Sequence, residues 1–229
     1  MFFHSTYLIY MIPAFILMAL TSWYVKSAYN KWSRVQAQSR LTGAQAAQRL
    51  MSTGGMYGVQ IQGVAGNLTD HYDPRNKTLY LSQGVANVAS VASVAIAAHE
   101  LGHAMQDAED YFPLRIRSAL VPVVNIGSNL GWILIMIGLL LRFTELAWLG
   151  VIIFAGGAVF ALFTLPVEFN ASARAKQLLV QTGIIQTDEE QRGVNAVLNA
   201  AALTYVAGLV TAILQLLYYV SLVGGGRRR

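Results

Sequence analysis

No cysteine occurs in the 229 residues, and with it go disulfides, thiolate metal sites, iron–sulfur clusters and cysteine nucleophiles. Any metal must be held by His, Asp or Glu. Charge is also scarce: 12% of residues are Asp, Glu, Lys or Arg, against about 25% in an ordinary soluble domain. With 55% hydrophobic residues and a mean hydropathy of +0.47, the composition argues against a disordered chain or a simple water-soluble domain. The net charge of +5 does not indicate nucleic acid, because no stretch interleaves arginines with base-stacking aromatics.

What is present is apolar sequence in long runs. Residues 6–25, 119–141, 146–167 and 200–223 each approach the roughly 20 residues that carry a helix across a hydrocarbon core of about 30 Å. The first run reads as a retained anchor, since no Lys or Arg precedes it and no small-x-small cleavage site follows. Lys26, Lys31, Arg34, Arg40 and Arg49 come directly after it, which keeps the following segment in the cytoplasm. Alternation then places residues 26–118 and 168–199 inside, and these hold 12 of the 16 Lys and Arg.

The domain reading is therefore an anchor (1–25), a cytoplasmic segment (26–118), a transmembrane hairpin (119–167), a second cytoplasmic segment (168–199) and a last span with a basic tail (200–229). That tail, Arg227 to Arg229, falls outside against the rule. Either the last run does not cross fully or three terminal arginines do not decide, and the glycines before them also suit a flexible end. Within the spans, Gly127 and Gly131 form a Gly-x-x-x-Gly spacing beside Asn125, Ser128 and Asn129. Two readings stand: close helix approach, or a polar wall along a substrate path.

Residues 42–110 alone have soluble-domain character. Thr42 precedes an amphipathic run that stops at Gly54 and Gly55, which predicts a short capped helix. Val59, Ile61 and Val64, and then Thr78 to Leu81, predict a small hairpin joined through the turn formers Asp70 to Asn76. From Val85 a continuous Ala- and Val-rich helix is expected to about Glu109.

That helix carries His99, Glu100, Leu101, Gly102 and His103, a His-Glu-x-x-His sequence. Residues four apart on a helix lie on one face a turn apart, so both imidazoles can address one metal ion. Glu100 projects beside them, where its carboxylate can hold and deprotonate a water on the ion. Chance would produce the pattern in roughly two of a thousand such sequences. Burying these groups in an apolar helix is costly without compensation, and a divalent cation supplies it.

For the third ligand, the metzincin pattern fails because Gln106 and Glu109 stand where Gly and His are required. Glu109 points away round the helix, and Glu145 falls on the far side of the membrane. Topology selects Glu168, with Glu189 and Glu190 as alternatives in an acidic patch that also suits a solvated helix start. Ser172, one turn beyond Glu168, and Asn170 are placed to hydrogen-bond a ligand histidine from behind. Arg174 is a candidate to steady charge on a substrate carbonyl or to meet a lipid headgroup.

These residues resemble the membrane-bound neutral zinc metallopeptidases of the YugP-like type. The resemblance rests on Asp70, His71, Tyr72, Asp73 and Pro74, on residues 97–106 and on residues 165–175, and it covers essentially the whole chain, span order included. It implies an integral membrane metalloendopeptidase, gluzincin-like, with one zinc ion on His99 and His103 and with Glu100 as general base. More distantly the chain is similar to HtpX-type and CAAX prenyl membrane proteases, which carry a glutamate ligand early in a helix and an aspartate four positions later. Glu168 matches that ligand, whereas Ser172 stands at the aspartate position. The nearer family implies Asp where Asn170 stands. The Asp70 to Pro74 cluster reads either as a hydrogen-bonded turn or as the source of a donor, His71 or Tyr72, to a developing oxyanion.

The expected fold class is a mainly α integral membrane protein with about four transmembrane helices and a small α+β, zincin-like cytoplasmic segment bearing the metal-binding helix. The expected function is zinc-dependent peptide hydrolysis at the cytoplasmic face of a bacterial plasma membrane. The strand at Thr78 to Leu81 would pair with an extended peptide or membrane-protein substrate. The partners are that substrate and the lipid bilayer, with no nucleic acid. Rival readings are a non-catalytic scaffold or assembly factor tied by the metal, and a transporter. The transporter lacks any charge well inside a span to mark an ion path.

Overall fold

The computed structural model describes residues 5–225; Arg227 to Arg229 lie outside the described residues. The elements run α1 (Ser5–Trp32), α2 (Gly43–Thr53), β1 (Gln60–Val64), β2 (His71–Asp73), β3 (Thr78–Ser82), α3 (Gln83–Ala86), α4 (Val91–Ala108), α5 (Phe112–Leu140), α6 (Thr144–Gln181) and α7 (Asp188–Gly225). Four of them, α1, α5, α6 and α7, are long and apolar enough to cross a membrane. The four apolar runs fall within these helices, apart from Leu141 just past the end of α5, and the helices continue into polar sequence. The chain divides into two compact units: one holds residues up to Thr21, Phe112–Pro166 and those from Thr204, the other Ser22–Tyr111 and Val167–Leu203.

In the first unit, helix contact depends on missing side chains. A Cβ added at Gly131 would stand 2.9 Å from the Gly150 carbonyl oxygen, and one at Gly150 would stand 2.6 Å from that of Gly131. Gly138 meets Ala147 in the same way, whereas Gly127 has ordinary clearance to Ile153 at 3.5 Å. The close approach of α5 and α6 therefore uses Gly131, Gly138 and Gly150, and the Gly127 half of the expected spacing is not part of it. A cavity of about 410 Å³ is lined in this unit by Ser128, Asn129, Trp132, Gln215 and Tyr219 among others.

The second unit is built on a core of small and branched side chains from α2, β3, α4, the C-terminal part of α6 and the N-terminal part of α7. Thr42 caps α2 as expected, with a reciprocal capping box to Gln45. The sheet differs from the expected hairpin. Its order is β1-β3-β2, with β1 parallel to β3 and β2 antiparallel to it. The turn formers Asp70 and Asp73 flank and end a strand of their own instead of forming one long turn. The Asp70 carboxylate accepts from the Ser82 backbone N–H (2.7 Å) and hydroxyl (3.1 Å), and Asp73 accepts from Arg75. Because β3 is paired on both sides from Thr78 to Tyr80, that stretch has no free edge for a substrate. An extended peptide would have to use an outer strand.

The helix expected from Val85 is also interrupted. Its chain forms α3, leaves helix at Asn87 and restarts at Val91, where the Ser90 side chain accepts from the Ser93 N–H. Ser and Asn compete with helical hydrogen bonds through their own side chains and so favour such boundaries.

The acidic start of α7 is solvated at Asp188 and Glu189, which are exposed, but not at Glu190. Glu190 is 3% exposed, and its carboxylate accepts from the backbone N–H of Gln38 (2.9 Å), Gln186 (3.0 Å) and Thr187 (3.2 Å). The Thr187 hydroxyl oxygen accepts in return from the Glu190 N–H, which completes a capping box. Glu190→Ala strands these donors, and a loss of about 2–3 kcal/mol is expected. It should appear as a lower midpoint in a thermal melt in detergent; an unshifted midpoint would refute the structural role.

Candidate metal centre

The site is assembled from two helix faces of the second unit. On α4, His99, Gly102, His103 and Gln106 follow the i, i+3, i+4, i+7 spacing that places residues on one side of a helix. On α6, Glu168, Ala171, Ser172 and Ala175 repeat the same spacing, and all four are buried. Gly102 lets the two faces meet: an added Cβ would lie 2.5 Å from the Ala171 carbonyl oxygen.

The contact gathers His99, His103 and Glu168, with one ligand atom from each within 4.8 Å of the others. Glu168 Oε2 lies 3.2 Å from His99 Nε2 and 3.6 Å from His103 Nε2. The imidazole planes are nearly perpendicular, at 84°, with centroids 4.9 Å apart. Each remaining ring nitrogen is held from behind. Ser172 Oγ stands 3.2 Å from His99 Nδ1, and Gln106 Oε1 stands 3.0 Å from His103 Nδ1.

Residues 7–224 match the family described as "Putative neutral zinc metallopeptidase". The chain belongs to this family. It is 45% identical over 203 residues to "Putative membrane protease YugP" of Bacillus subtilis (strain 168), an alignment that spans 89% of this chain and 90% of that one. No solved structure matches the chain. The YugP-like resemblance read from the residues is thereby shown. With four helices long and apolar enough to cross a bilayer, this member of the zinc metallopeptidase family is a multi-pass membrane protein.

The donor set suits the metal that the family implies. Tetrahedral ligands about 2.0–2.1 Å from a zinc ion stand about 3.3–3.4 Å from one another. The two histidine–glutamate separations, 3.2 and 3.6 Å, bracket that edge. Two imidazoles and one carboxylate leave a fourth position open, the arrangement of catalytic rather than structural zinc.

Glu100, 9% exposed, sits beside these donors. Burial pushes its carboxyl above the usual range, with His99 and His103 opposing and Glu168 adding to the rise. For His103, burial works against the charged ring, but the Glu168 carboxylate 3.6 Å from its Nε2 and the charge of Glu100 prevail and raise it.

The other candidates are placed less directly. Asn170 does not touch a histidine: its Oδ1 accepts from Gln106 Nε2 (2.9 Å) and from Arg174 Nε (2.7 Å). The guanidinium of Arg174 closes on Glu109 through two 2.7 Å bonds. Tyr72 donates its hydroxyl proton to Asp107 at 2.9 Å, and burial together with that partner raises the phenol. His71 is exposed; its Nδ1 lies 2.9 Å from the Thr69 carbonyl and its ring stacks on Tyr80. Burial also raises the Asp70 carboxyl against the two bonds from Ser82. The residue not foreseen in a site role is Gln106, fully buried. The available signal was a lone amide three residues beyond His103, on the polar face of an Ala- and Val-rich helix.

Proposed function

We propose that the chain is a zinc metalloendopeptidase in which His99, His103 and Glu168 hold one zinc ion and Glu100 is the general base. The observation that carries this reading is the convergence of both Nε2 atoms on Glu168, with Glu100 beside them. Zinc on these donors would supply Lewis acidity, lowering the pKa of a bound water toward about 7 and polarising the scissile carbonyl. Glu100 receives the proton as the water oxygen bonds to the carbonyl carbon. It returns that proton to the amide nitrogen as the C–N bond breaks, so the products are a carboxyl group and a free amine. Ser172 and Gln106 hold the ligand rings in place meanwhile.

We assign residues 26–118 and 168–199 to the cytoplasmic side of a bacterial plasma membrane on the Lys and Arg bias. Substrates are peptides or unfolded and membrane-bound chains presented at that surface, entering along an outer strand of the sheet.

The test is made on the full chain in detergent or liposomes. About one zinc per chain is expected, together with hydrolysis of an unfolded protein that a chelator removes and added zinc restores. Hydrolysis that survives exhaustive chelation, or a chain that retains no zinc, would overturn the assignment.

A further inference from the structure

We infer that Gln106 is a positioning residue that fixes the proton of His103 on Nδ1, and that its own orientation is dictated by Val167, Asn170 and Arg174. The inference rests on the metal site proposed above and extends it to residues that touch neither metal nor substrate. The two ends of a glutamine amide are alike in outline, so which one faces His103 is settled by its other partners.

The polarity can be followed inward from the rim. Arg174 can only donate, and its two 2.7 Å bonds to Glu109 hold the guanidinium in place. Its Nε bond of 2.7 Å therefore requires the oxygen of Asn170. That oxygen also accepts from Gln106 Nε2 at 2.9 Å. The second Gln106 Nε2 proton goes to the Val167 carbonyl at 2.8 Å, a group that can only accept. Both amide protons are thus committed, and the oxygen is left facing His103 Nδ1 at 3.0 Å. An oxygen without protons demands a donor, and at 3.0 Å it is within hydrogen-bond reach where Glu168 Oε2, 3.6 Å from Nε2, is not, so the neutral imidazole carries its hydrogen on Nδ1 and leaves the Nε2 lone pair free for an ion. Reversing the amide would set an oxygen against two acceptors in a position with no exposure to water.

His99 has no such control. Its Nδ1 faces the Ser172 hydroxyl, which can donate or accept, so the partner behind this ring does not choose the tautomer. The two ligands therefore differ: one is set by the chain in advance and the other by the ion.

The experiment compares wild type with Gln106→Met, Asn170→Leu and Asn170→Asp, all full-length in detergent. Zinc affinity is measured by competition with a chromophoric chelator. The His103 tautomer is read from ¹⁵N shifts of histidine-labelled protein, alkaline enough for the ring to be neutral; four histidines make assignment tractable. Wild type should show Nδ1–H at His103. Gln106→Met should mix the tautomers and weaken zinc by about 10- to 100-fold. Asn170→Leu should do the same to a smaller degree, while Asn170→Asp, which keeps the acceptor for both donors, should stay within about threefold of wild type. Nε2–H at His103 in wild type overturns the inference. So does unchanged zinc affinity and tautomer in both Gln106→Met and Asn170→Leu, or an Asn170→Asp as impaired as the leucine variant. A wild type that takes up no zinc defeats the metallopeptidase reading instead, and the tautomer comparison still decides the role of Gln106.

Discussion

Glu100→Gln is expected to lower peptide hydrolysis about ten-thousandfold while leaving zinc content and folding unchanged. General acid–base catalysis contributes about 10²- to 10⁴-fold, and Glu100 is assigned both the uptake of the proton and its delivery, which puts the effect at the upper end. Each factor of ten is about 1.36 kcal/mol in the barrier. Gln matches Glu in shape and adds no bulk at a position 9% exposed, so packing on α4 survives. The carboxylate is not among the three converging donors, so the metal should remain. The assay pairs initial rates on an unfolded substrate with metal analysis of the same preparation. A variant that keeps more than a tenth of the activity removes Glu100 from the reaction. A variant inert toward peptides but fully active in the cell would favour the scaffold reading, in which the ion only ties two helices together.

How much of this was legible beforehand depended on the range over which each feature is determined. The pairing of His99 with His103 is a property of four consecutive helical steps, and it stands in α4 as read. Glu168 lies 69 residues from His99, and in the sequence only topology, the sharing of one side of the membrane with the motif, singles it out. Hydropathy marks where lipid can lie and not where a helix ends, so α6 and α7 run far into polar sequence beyond their apolar runs. The break between α3 and α4 was concealed because Ala and Val continue across it, and only Asn87 and Ser90 signal the stop and restart. The parallel pairing of β1 with β3 was not legible, since β2 is three residues long and Asp70 before it and Asp73 at its end read as turn formers. Thr187 and Glu190 do carry the capping-box spacing, which was masked by the neighbouring acids. The role of Gln106 depends on partners more than 60 residues away, a relation that a single sequence does not express.

Gly102→Ala should be the most damaging change at the site that alters no polar group. The added Cβ would fall 2.5 Å from the Ala171 carbonyl oxygen and 3.0 Å from its carbonyl carbon and Cα. These are backbone atoms that no rotamer change can move aside. Relief requires the α4 and α6 faces to part by about half an ångström or more, and overpacking of this kind costs about 1–3 kcal/mol. The metal site would feel the same displacement, because Glu168 stands one turn before Ala171 on α6. Zinc bonds tolerate about 0.2 Å of misplacement, and the Gln106 bond to the Val167 carbonyl crosses the same contact. A loss of zinc affinity of about a hundredfold or more is therefore expected, with a lowered melting temperature, measured by chelator competition and a thermal scan. Adding Ala171→Gly should not restore either quantity, since the obstructing atoms belong to the main chain. Full recovery in that double variant, or a Gly102→Ala protein with wild-type zinc affinity, would mean that the close approach of these helices does not set the geometry of the metal centre.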